Sequence, residues 1–140
     1  MLTGEYRHSI DAKKRLFIPA KHREELGTTF MIVRDLRGQR LKVYSEKAWE
    51  AFVAPILQQE RKLADATMRF LHRDAVQAEP DAQGRVTLTA ALVAYAGITK
   101  EAVVVGCGDY AEIWSAEAYD AAMAEEDPEA LCAALEALGL

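Results

Sequence analysis

Asp11-Ala12-Lys13-Lys14-Arg15-Leu16-Phe17-Ile18-Pro19 is answered 70 residues later by Asp81-Ala82-Gln83-Gly84-Arg85-Val86-Thr87-Leu88-Thr89. The register holds beyond the motif: Gly27 maps onto Gly97, Val43 onto Ile113, Ser45 onto Ser115 and Trp49 onto Tyr119. A repeat of this length predicts one supersecondary unit used twice, each copy completing the core of the other. It also sets a polar D-x-x-x-R turn at the same point of both halves.

Each turn leads into a short alternating strand. Leu16 and Ile18 point one way in the first copy, Val86 and Leu88 in the second, with Arg15 and Arg85 on the opposite face. Pro19 and Thr89 then suit a helix start, over residues 20–26 and 90–96, and Gly27 and Gly97 stand where a left-handed C-terminal cap is wanted. A hairpin follows in each half, with strands at 30–33 and 41–44, and at 102–105 and 111–114. Ser45 and Ser115 cap the next helices. Residues 56–75 read as a joining helix with Ile56, Leu63, Met68 and Leu71 as its stripe. At the end of the chain, Asp127-Pro128 starts a helix whose Leu131, Leu135 and Leu138 form a narrow apolar face for a neighbour in the same chain or another copy.

These elements predict an α+β chain. The divisions are a first repeat at 1–54, a connecting helix at 55–75, a second repeat at 76–122 and a C-terminal helix at 123–140. Neither half offers enough strand for a stable sheet, so the two repeats are expected to form one compact domain, interleaved as a small closed barrel without exposed edges.

At 140 residues and 51% hydrophobic, the chain is long enough for one core, yet no apolar run reaches the ~18 residues that cross a bilayer. The first residues lack the apolar stretch of a secretory signal, which predicts a cytoplasmic protein. Cys107 and Cys132 lack metal spacing, and His8, His22 and His72 have no ligand spacing with them. No phosphate-binding loop, hydrolase elbow or zincin motif is present, so no enzyme and no cofactor are expected. Net charge is −5, but it is unevenly spread. Residues 1–50 hold 11 Lys+Arg against 7 Asp+Glu, residues 51–75 hold 4 against 3, and residues 76–140 hold 2 against 12. The tightest basic cluster is Lys13, Lys14, Arg15, Lys21 and Arg23. Such asymmetry either marks a face for a polyanion or is simply a solvated face.

From Gly4-Glu5-Tyr6-Arg7-His8-Ser9-Ile10 through the first motif to Ala20, the chain resembles the N-terminus of the MraZ family of bacterial transcriptional regulators. Asp81-Ala82-Gln83-Gly84-Arg85-Val86 and Glu112-Ile113-Trp114-Ser115 are similar to the family's second signature and strand-to-helix join. The resemblance implies a double SpoVT-AbrB, swapped-hairpin fold forming one pseudo-dimeric barrel. It implies a ring-shaped homo-oligomer, cytoplasmic and nucleoid-associated. Its members bind direct repeats in double-stranded DNA upstream of the division and cell-wall operon, including their own promoter. It also implies that the turns contact DNA and that Arg15 is the principal residue. Two positions depart from the family pattern: Lys14 stands where glycine is usual, and Thr89 where proline is common.

The motif chemistry agrees with that implication while leaving a structural alternative open. Lys13 and Lys14 offer point charges to phosphates, and Arg15 a planar fork for a guanine edge or a phosphate. Asp11 can orient that fork or tie down the turn. Equally, Asp11–Arg15 and Asp81–Arg85 can be plain structural pairs. Arg85 lacks flanking lysines, and Gly84 keeps its turn compact, so Arg85 is weighted towards structure or a secondary DNA contact. The DNA-binding residues expected are therefore Lys13, Lys14, Arg15 and Arg85, with Asp11, Asp81 and Gly84 shaping the turns. The rival readings are an antitoxin-like DNA binder with a protein partner and a ring-forming scaffold with no DNA role.

Overall fold

In the computed structural model, which describes all 140 residues from Met1 to Leu140, the halves run through one order of elements twice. The first half contributes β1 (Glu5–Ser9), β2 (Arg15–Phe17), α1 (Ala20–Leu26), β3 (Phe30–Arg34), β4 (Leu41–Ser45) and α2 (Glu46–Leu57). After α3 (Arg61–Arg73), the second contributes β5 (Val76–Ala78), β6 (Arg85–Thr87), α4 (Ala90–Ala96), β7 (Glu101–Gly106), β8 (Ala111–Ser115) and α5 (Ala116–Ala124). The last helix is α6 (Pro128–Ala137).

Six strands form one antiparallel sheet in the order β1-β7-β8-β4-β3-β5, and β2 and β6 form a separate antiparallel ribbon. Four pairings cross between the halves: β1 with β7, β3 with β5, β4 with β8, and β2 with β6. The alternation after each D-x-x-x-R turn does what its period requires. Leu16, Ile18, Val86 and Leu88 are buried in a core shared with Phe30, Ile32, Leu92 and Ile113. Smaller clusters gather around Trp49 and Tyr44 under α2 and α3, and around Tyr119 under α5.

The sheet is open, with β1 and β5 at its edges, where a closed barrel was expected. The physical reason lies in the ribbon. β2 and β6 spend their three residues on each other and do not join the large sheet, so nothing bridges its two edges.

α1 and α4 occupy the expected residues. Thr89 caps α4, its hydroxyl accepting from Leu92 N at 3.2 Å, whereas Pro19 starts α1 without a side-chain cap. Gly97 adopts the left-handed conformation, but Gly27 combines φ 86° with an extended ψ of −171°. Ser45 and Ser115 accept from Ala48 N and Ala118 N, each at 3.1 Å. The joining helix is corrected at its start. Pro55 and Ile56 lie in the last turn of α2, and α3 begins only after Glu60, whose carboxylate accepts from Lys62 N and Leu63 N. Leu63 is exposed, and the face that packs inward carries Ala64, Met68 and Leu71. No helix is long and apolar enough to cross a membrane.

Candidate nucleic-acid interface

The two D-x-x-x-R turns share one construction. Asp11 Oδ1 accepts from the backbone N–H of Lys13 at 2.9 Å and of Arg15 at 2.8 Å, while Oδ2 accepts from Arg15 Nε at 2.6 Å. Asp81 Oδ1 likewise accepts from Gln83 N and Arg85 N, both at 2.9 Å, and Oδ2 from Arg85 Nε at 3.0 Å. In each, the backbone of the fourth residue closes the turn: Lys14 N donates to Asp11 O at 3.0 Å, and Gly84 N to Asp81 O at 2.9 Å. The aspartate is therefore the template of the turn and the orienting partner of the arginine at once. Donation from the Arg15 and Arg85 amides, ahead of the side-chain pairing, holds both carboxyls below the usual aspartate range.

That construction requires positive φ at the fourth position. Gly84 takes φ 80° without penalty, but Lys14 takes 61°, the single non-glycine residue of the chain with positive φ. Here glycine and lysine solve one backbone problem differently. Gly84 is also roofed over: a Cβ there would come within 2.8 Å of the Arg23 guanidinium carbon.

The ribbon fixes the two turns relative to each other. Arg15 pairs with Thr87 and Phe17 with Arg85, so the turns sit at opposite ends of a two-stranded ladder. Each strand is extended by a bond to the other turn, Ile18 N to Gly84 O at 2.9 Å and Leu88 N to Lys14 O at 2.8 Å. Because Leu16 and Val86 point into the core, Arg15, Phe17, Arg85 and Thr87 share the outward face. Both arginines are about 30% exposed, at 31% for Arg15 and 29% for Arg85. They differ in their surroundings. Arg15 pairs with Asp11 alone, whereas Arg85 lies 3.0 Å from Asp81 and 3.8 Å from Asp11. Lys13 is exposed and Lys14 half-buried beside them.

The remaining basic side chains near this surface are committed or set apart. Arg7 bonds Asp120 on α5, and His8 lies against Phe17 with ring centres 4.8 Å apart. Arg34 is buried over the Phe70 ring and paired with Asp74 at 3.3 Å. Arg23 is the group that sequence reasoning did not assign. Its Nε donates to Ile18 O at 2.9 Å, and its head spans the Phe17 ring and the second turn. A signal was present: Arg23 belongs to the basic cluster, and its repeat partner is the uncharged Val93. No set of three His, Cys, Asp or Glu side chains is grouped to hold a metal ion.

The family model described as "MraZ protein, putative antitoxin-like" matches residues 1–74 and again residues 70–137. The chain is 44% identical over 119 residues to the transcriptional regulator MraZ of Lactiplantibacillus plantarum, covering 84% of each protein. It is 40% identical over 123 residues to that of Ligilactobacillus salivarius, covering 86% of this chain and 85% of the relative. Against that of a Thermoanaerobacter species it is 42% identical over 122 residues, with the same coverage.

Proposed function

The chain belongs to the MraZ family, and from that premise we propose that it is a sequence-specific DNA-binding transcriptional regulator. It binds direct repeats upstream of the division and cell-wall operon, including its own promoter, as a ring-shaped homo-oligomer in the cytoplasm and on the nucleoid. The supporting observation is the β2–β6 ribbon, which carries two pre-oriented arginines on its outward face with Lys13 and Lys14 at one end. A two-stranded ribbon fits the major groove, about 12 Å wide, where an arginine fork reads guanine. Lys13 and Lys14 take phosphates, Arg15 takes a base edge, and Arg85, held by two carboxylates, serves as the secondary contact. Asp11, Asp81 and Gly84 set the turns and do not touch the duplex.

On this reading the fold is of the swapped-hairpin, AbrB-like type. The halves divide at 1–54 and 76–122 around a connecting segment at 55–75, with 123–140 as an assembly helix. The cross-half pairing of β2 with β6 supports the exchange of hairpins. The leucines of α6 support self-association, since Leu131, Leu135 and Leu138 are 55%, 51% and 74% exposed on a helix that buries none of its residues.

The test is anisotropy on the chain's own upstream repeats across a salt series. Arg15→Ala abolishes repeat binding while the oligomer persists by light scattering. Lys13→Ala weakens all sequences alike and lowers the slope of log K against log salt by about 0.9 per lost phosphate contact. Normal repeat binding by Arg15→Ala refutes the assignment. Wild-type protein that binds no upstream DNA leaves the scaffold reading in its place.

A further inference from the structure

We infer that Arg23 is a phosphate-binding residue of the interface, lent by α1 of the first half to the turn of the second. The inference rests on the DNA-binding reading and adds a residue to it.

The turns are built alike but charged differently. The first carries Lys13 and Lys14; their repeat partners in the second are Gln83 and Gly84, which carry no charge. Arg85 does not make up the difference, because carboxylates lie on it from both Asp81 and Asp11. Arg23 supplies the missing cation from across the ribbon. Its guanidinium lies where a Gly84 Cβ would come within 3.0 Å of Cζ, Nε and Nη2. The bond from Nε to Ile18 O and the approach to the Phe17 ring, 5.6 Å to its centre, hold the head in place. With Nε bonded to Ile18 O, the Nη groups have no hydrogen-bond or ion-pair partner in the chain. Glu79 and Asp81 line the same shallow cleft as Arg23, yet neither forms an ion pair with it, and Asp81 is already bonded to Arg85. A half-buried arginine with a fixed head and no counter-ion is arranged to receive an external anion. The exchange is one-way: the residue related to Arg23 by the repeat is Val93, and the first turn, which holds its own lysines, needs no loan.

A structural role alone predicts something different, so the test separates the two. Binding of the full-length protein to its upstream repeats is measured against salt for wild type, Arg23→Gln and Arg23→Lys, with thermal unfolding of each. Both variants lose the Ile18 anchor, so both unfold at lower temperature. Arg23→Gln lowers the salt slope by about 0.9 per engaged subunit, Arg23→Lys keeps it, and adding Gln83→Lys to Arg23→Gln restores it. Equal slopes for wild type and both variants overturn the inference while leaving the DNA reading intact. A wild type that fails to bind overturns both. A second measurement needs no variant: in NMR titrations of the wild type with repeat DNA, the Arg23 Nε–H resonance shifts while that of the buried Arg34 stays. An unmoved Arg23 resonance in a saturated complex overturns the inference.

Discussion

Lys14 holds a backbone conformation that glycine would adopt freely, with φ at 61°. A side chain in the left-handed region costs roughly 1–2 kcal/mol, against roughly 0.5–1 kcal/mol for the extra freedom glycine loses on folding. Lys14→Gly therefore raises stability by about 0.5–1 kcal/mol in urea unfolding, and lowers the salt slope of DNA binding by about 0.9 if the amine meets a phosphate. A gain in stability with no change in slope would assign Lys14 to the turn alone. The aspartates carry a pH signature. Their folded values lie below the unfolded one, so their contribution is present above the unfolded value and is lost as pH falls through the folded ones. The Arg15 and Arg85 amide resonances should stay fixed through the range in which an ordinary aspartate titrates and move only once pH falls below it. Asp11→Asn removes the step at Arg15 and leaves that at Arg85.

At the scale of elements, the helix ends that were legible in the sequence are those whose signals are local. Thr89 and Gly97 bracket α4, and Ser45 and Ser115 start α2 and α5. Thr89→Ala should cost about 1 kcal/mol, read as a lowered unfolding midpoint, because Leu92 N loses its acceptor. The start of α3 was misplaced for an equally physical reason. Glu60 is an uncommon N-cap, and Pro55 sits inside the final turn of α2 instead of ending it. The open sheet was not legible either. Whether β2 and β6 join the large sheet or pair apart depends on contacts between distant residues, which no local pattern records. The site itself was half visible. Repetition of D-x-x-x-R marked both turns, but the place of Arg23 over Gly84 exists only once the halves are brought together.

The whole molecule leaves one element without a partner. Every residue from Glu125 to Leu140 is exposed, and α6 is held to the rest only through the short link from α5. A groove of about 650 Å³ elsewhere on the surface, lined by Tyr44, Phe52 and Tyr110 with Lys42, Lys47, Glu25 and Asp109 on its wall, offers apolar area to a leucine-faced helix. If α6 carries the self-association proposed above, removing residues 128–140 leaves the unfolding midpoint of the protomer unchanged and shrinks the particle seen by light scattering. An assembly of unchanged size would place the subunit contacts elsewhere.

The two units lie in one polypeptide and their turns differ, with lysines at one end of the ribbon and glycine under the Arg23 guanidinium at the other. Two identical subunits about a two-fold axis present the same aspect from either direction and so match an inverted site. This ribbon has a front and a back, which on the proposed function would give each copy a heading along a duplex. On the proposed function, a ring of such copies, all facing the same way round, would match elements that follow one another head to tail, and the lost symmetry would become a sense of direction.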